Sequence, residues 1–133
     1  DQAQVQEFGC YALGNFASNH TANTTAIAAM GGIDLVLTAM RGHIDQAQVQ
    51  ESGCNALGNF ASNHTANKTA IAAMGGVEIV LSAMRGHIDQ AQVQEFGCYA
   101  LGNFASNHTA NTTAIAAMGG IDLVLTAMRG HID

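Results

Sequence analysis

Phe8, Tyr11 and Asn15 stand at i, i+3 and i+7, so they share one face of a helix; the spacing returns at Ser52, Asn55 and Asn59 and at Phe96, Tyr99 and Asn103. An asparagine amide both donates and accepts toward a peptide backbone. Tyrosine adds contact area at low entropic cost. The chemistry on offer is recognition: a ladder of amides and aromatics along which an extended peptide or protein segment can lie. Two plainer readings fit the same residues, a polar helix face in water and asparagines that hold their own helix end or a neighbouring loop.

The remaining reactive side chains point away from catalysis. Cys10, Cys54 and Cys98 are odd in number and 44 residues apart, which suits reduced packing residues better than a disulfide framework. His20, His64 and His108 lie in polar corners, and His43, His87 and His131 follow Arg-Gly. Neither set joins the cysteines at zinc-ligand spacing, so no metal and no cofactor is expected. No Ser-His-acid or paired-carboxylate arrangement offers a unique pocket, and the chain is not expected to be an enzyme. Asn-x-Thr patterns begin at Asn19, Asn23, Asn63, Asn67, Asn107 and Asn111; they read as the composition of an exposed corner rather than as glycan acceptors, with a cytoplasmic location and the nucleus also open.

Four Lys and Arg against ten Asp and Glu give a net charge of −6, which disfavours nucleic acid as a partner because its phosphates need neutralising. No apolar run approaches the roughly 20 residues that cross a bilayer, so no membrane partner is expected. The chain opens Asp1-Gln2-Ala3 and reads as a trimmed fragment without a secretory signal.

The elements that must position the ladder follow from a repeat. Residues 1–44 recur at 45–88 and 89–132; the outer copies are identical, and the middle copy differs at seven positions, Ser52, Asn55, Lys68, Val77, Glu78, Ile79 and Ser82. A recent duplication and a deliberate concatenation both produce such identity. A 44-residue period lies in the range of helical repeat arrays, and three helices fit each copy. The first is expected over Gln2–Ala17, with Val5, Gly9, Ala12, Leu13 and Phe16 on one flank. In later copies Asp45 and Asp89 are expected to cap it in a box with Gln48 and Gln92, while Ile44 and Ile88 staple onto Val49 and Val93. Thr21 and Asn23 are candidate caps for a short helix reaching Met30, with Ala26, Ile27 and Met30 inward. Gly31 and Gly32 make a corner, and Ile33, Val36, Leu37 and Met40 stripe a third helix over 33–41, with Asp34 in its first turn and Arg41 in its last. Glycines inside the long helices point to close approach of neighbouring backbones.

The Gly31-Gly32 pair before an apolar helix, combined with Ala12-Leu13-Gly14-Asn15-Phe16-Ala17 late in the long helix, resembles the armadillo repeat family over essentially all 133 residues. The resemblance implies an all-α, armadillo-like right-handed α-solenoid of three tandem 44-residue repeats, one repeat domain over 1–133. In that family the long helix lines a concave face, and its late asparagine, here Asn15, Asn59 and Asn103, contacts the backbone of an extended peptide. Where the family's peptide binders often carry tryptophan one turn earlier, Tyr11, Asn55 and Tyr99 stand. Its acidic subsites meet Phe8, Ser52 and Phe96, so recognition of a nuclear-import signal is not expected. In family order the chain begins with a long third helix and ends after a second helix. Each end then shows a surface that interior copies cover, and a homo-oligomer joined head to tail or by domain swapping is the alternative to a peptide partner.

Overall fold

A computed structural model describes residues 2–132. All regular structure among them is α-helical, in nine helices. The long helices are α1 (Gln2–Ala17), α4 (Ala47–Ala61) and α7 (Ala91–Ala105). Each is followed by a short helix, α2 (Thr21–Ala29), α5 (Thr65–Ala73) or α8 (Thr109–Ala117), and by a medium one, α3 (Gly32–Gly42), α6 (Gly76–Gly86) or α9 (Gly120–Gly130). The most extensive contacts join α1 to α4 and α4 to α7, and the first two medium helices pack on the long helix that follows, α3 on α4 and α6 on α7.

The corner between short and medium helices is a glycine property. Gly31, Gly75 and Gly119 have φ of 84°, 85° and 84°, a left-handed conformation that only glycine adopts at no steric cost. The next glycine already belongs to the medium helix, so the pair ends one helix and starts another; α2 and α3 meet at 69°, α8 and α9 at 71°. The medium helix follows its stripe. Ile33, Val36, Leu37 and Met40 are buried, as are Val77, Val80, Leu81 and Met84.

Three local expectations are corrected. Asp45 and Asp89 do not cap the long helices: Gln46 and Gln90 hold that position without a side-chain bond. Asp45 instead lies in the turn before the helix, which Gln46 N closes by donating to His43 O, and the Gln50 amide pins the same corner by donating to the Met40 and His43 carbonyls at 3.0 and 2.8 Å. Thr21 and Asn23 do not cap the short helices either. His20, His64 and His108 do so, each accepting the backbone N–H three residues on through Nδ1. Finally, Met30 is exposed, and so is Ala26, although its counterpart Ala70 packs half-buried against the core; the short helix buries Thr24, whose hydroxyl donates to the Ala17 carbonyl, and its isoleucine, half-covered as Ile27 and buried as Ile71 and Ile115.

The core runs through the middle copy. Val49, Leu57, Phe60, Ile71, Val80 and Met84 are all 1% exposed or less, because α4–α6 have a neighbour on both sides. Lys68, in place of Thr24, reaches forward and donates to the Ser106 carbonyl of the next copy. Glycines at the junctions sit in close packing: Gly53 and Gly58 of α4, Gly97 of α7 and Gly14 of α1. A Cβ on Gly53 or Gly97 would lie 2.5 Å from Met40 or Met84, and one on Gly14 would lie 3.3 Å from the Ala56 backbone.

Candidate functional site

The ladder residues lie on successive long helices. Phe8, Tyr11 and Asn15 of α1 are exposed; Ser52, Asn55 and Asn59 of α4 are half-buried; on α7 Tyr99 is exposed while Phe96 and Asn103 are half-buried. What the one-dimensional pattern does not reveal is how these groups bond to each other. Asn59 Nδ2 donates to the Gly14 carbonyl at 2.9 Å, and Asn103 Nδ2 donates to the Gly58 carbonyl at 2.9 Å. Tyr99 OH donates to Asn59 Oδ1 at 2.5 Å, and its ring covers Gly58 so closely that a Cβ there would lie 2.5 Å away. Asn55 occupies the tyrosine position of the middle copy, so Gly14 lacks an aromatic cover.

The asparagines therefore hold adjacent copies in register, each by one amide hydrogen. Since an asparagine amide has two N–H donors and an oxygen with two lone pairs, Asn59 and Asn103 keep a second N–H each. Asn15 bonds to none of the described residues and keeps its whole amide. Bonding capacity is thus uneven along the face, fullest on α1.

The polar corners are a second constellation. Because Nδ1 of His64 and His108 accepts a backbone N–H, the ring proton sits on Nε2, which donates to Thr25 Oγ1 at 3.1 Å and Thr69 Oγ1 at 2.8 Å in the preceding copy. Each ring thereby caps its own helix and ties it to the previous one, leaving no lone pair for a metal ion. Among the described residues no group of three or more His, Cys, Asp or Glu is placed to hold one. Asn19, Asn63 and Asn107 supply the corner's left-handed residue, with φ of 55°, 53° and 53°. Asn67 and Asn111 are buried and donate to the Phe60 and Phe104 carbonyls.

The three thiols differ by position. Burial pushes Cys10 up to about 11 and Cys54 up to about 12, and raises Cys98, which is half-exposed. Burial and the Glu7 carboxylate on α1 raise Glu51.

The ladder misses a further feature. Glu78, Ile79 and Ser82 line a cleft between α3 and α6 with Met40, Arg41 and Ala83. The signal was present in the sequence, since three of the seven positions at which the middle copy departs from its neighbours line that cleft. Among the described residues no single helix is long and apolar enough to cross a membrane. No protein-family model, no curated protein and no solved structure matches the chain.

Proposed function

We propose that the chain is a non-enzymatic repeat scaffold, an armadillo-like right-handed α-solenoid, that binds an extended peptide or protein segment along the face formed by α1, α4 and α7. The observation that carries this reading is the register of its three asparagines. The bonds from Asn59 to the Gly14 carbonyl and from Asn103 to the Gly58 carbonyl, equal in length, set equivalent residues in line across the long helices, each amide keeping a second N–H. Helices packed about 8–10 Å apart, crossed by a chain rising about 3.3 Å per residue, meet one asparagine for every three residues or so of bound peptide. Phe8, Tyr11, Phe96 and Tyr99 supply apolar walls at both ends of the strip, and Ser52 and Asn55 make its centre polar. The ligand this favours has aromatic or aliphatic side chains flanking a polar middle. The net charge of −6 adds attraction for a neutral or basic one.

Asn15 provides the test, since no bond within the fold depends on it. A peptide library screened against the chain should yield selective binders whose affinity falls about tenfold in Asn15→Ala, the loss of one or two hydrogen bonds, at an unchanged thermal midpoint. A screen without binders, or binders indifferent to Asn15, Tyr11 and Tyr99 alike, overturns the peptide reading.

A further inference from the structure

The two internal junctions between copies use one set of knobs and seats. Met40 and Met84 fill the space above Gly53 and Gly97. Arg41 and Arg85 donate to the Met74 and Met118 carbonyls at 2.7 and 2.8 Å, where the short helix ends and a cation is favoured. Asn59 and Asn103 hold the Gly14 and Gly58 carbonyls, and Tyr99 covers Gly58.

In the first and third copies each of these pairs is cut in half. A Cβ on Gly9 would have nothing within 4 Å, and neither would one on Gly102. Val5 and Phe16 are 67% and 58% exposed, although Val93 and Phe104, the same residues in the third copy, are both 0% exposed against the middle copy. Met128 is 62% exposed, although Met40, the same residue in the first copy, is 1% exposed against the middle copy. The outer copies are identical in sequence. The open face of α1 is therefore, residue for residue, one that α7 already shows covered, and the open face of α9 is one that α3 already shows covered.

We infer that the 133-residue chain binds a second copy of itself head to tail, the α7–α9 face of one molecule seated on the α1–α2 face of the next in the register of the internal junctions. Met128 enters the seat over Gly9, and Tyr11 covers Gly102 and bonds to Asn103. Asn15 donates to the Gly102 carbonyl, and Arg129 to the Met30 carbonyl. The occupant is a copy of this chain because both halves of every pair are already present on it, in matched sequence and with their paired geometry displayed internally. The interface is heterologous, so a dimer keeps one free face of each kind and growth continues. This inference rests on the internal junctions and not on the peptide reading.

Two substitutions that enter open space in the monomer test it. Gly9→Leu fills the seat on the head face and Gly102→Leu fills the seat on the tail face; both replace a helix-interior glycine, so neither is expected to lower the thermal midpoint. Sedimentation equilibrium from micromolar to millimolar protein should show the parent chain rising above 13.7 kDa, while each variant alone stays at that mass. An equimolar mixture of the variants, which still holds one open head and one open tail, should form a complex of twice the chain mass and stop there. A parent chain constant at 13.7 kDa, growth that survives both substitutions, or a mixture that stays monomeric would each overturn the inference.

Discussion

Cys10, Cys54 and Cys98 occupy one position in three copies of the long helix, and Cys10 and Cys98, whose helices are identical in sequence, differ by which neighbours cover them. Cys54, between two helices, is fully buried and raised to about 12; Cys10 is raised to about 11, and Cys98 is half-exposed. A thiol reacts as its thiolate and needs access, so the native chain at pH 8 is expected to react first at Cys98, then at Cys10, and at Cys54 only on unfolding. Mass spectrometry of timed alkylation reads this order, and simultaneous modification of all three would contradict it. The pH dependence follows from the same burial. Folded-state values above the usual 9.0 mean that the unfolded chain gives up thiol protons first, so the thiol contribution to stability is complete below pH 9 and is lost as pH rises toward about 12. Thermal midpoints measured from pH 8 to 11 should decline, and less steeply in Cys54→Ala once its own baseline is subtracted. The reduced, buried reading of the cysteines was available from spacing alone. Their inequality was not, because the difference lies in neighbours rather than in sequence.

At the scale of the element, the medium helix and its glycine corner were readable because both are local: an i, i+3, i+4, i+7 stripe and a left-handed glycine need no knowledge of the rest of the chain. The capping box at Asp45 failed for the opposite reason. Gln50 bonds to the Met40 carbonyl of the preceding helix and to the His43 carbonyl just past its end, contacts the cap rule does not consider, and the helix starts one residue later than that rule places it. Asn59 and Asn103 share this character, their amides being directed to a carbonyl of the preceding long helix and not by their own. Gly53 and Gly9 separate local from tertiary effects. They occupy the same position of the same helix, yet a Cβ meets Met40 at 2.5 Å in one and open space in the other. Gly53→Leu is expected to cost about 1–3 kcal/mol through overpacking against a methionine that is itself buried. Gly9→Leu is expected to gain up to about 1 kcal/mol in helix propensity. Urea unfolding of both variants checks the pair; equal effects would show that the long helices are not clamped by the methionine knobs.

Across the whole molecule, stability belongs to junctions more than to copies. Val49, Leu57 and Phe60 of the middle copy lose nearly all their surface to neighbours, and a fully buried side chain of this size contributes about 1.5–3 kcal/mol as an upper estimate. Removing the neighbours removes that contribution while the entropy of ordering 44 residues remains to be offset. A peptide of residues 45–88 alone is therefore expected to show a coil-like circular dichroism spectrum at 25 °C. The intact chain should reveal the same dependence as a gradient of amide hydrogen exchange: slowest in α4, faster in α7, fastest in α1, α8 and α9, whose outer faces are open. Because α1 and α7 share one sequence over fifteen residues, intrinsic propensity predicts equal protection for them, and only packing predicts a difference. The measurement is cleanest in dilute protein, where head-to-tail contact does not cover α1. Equal protection of α1 and α7 there, or a folded 45–88 peptide, would place stability within each copy and remove the reason for its open faces to seek a partner.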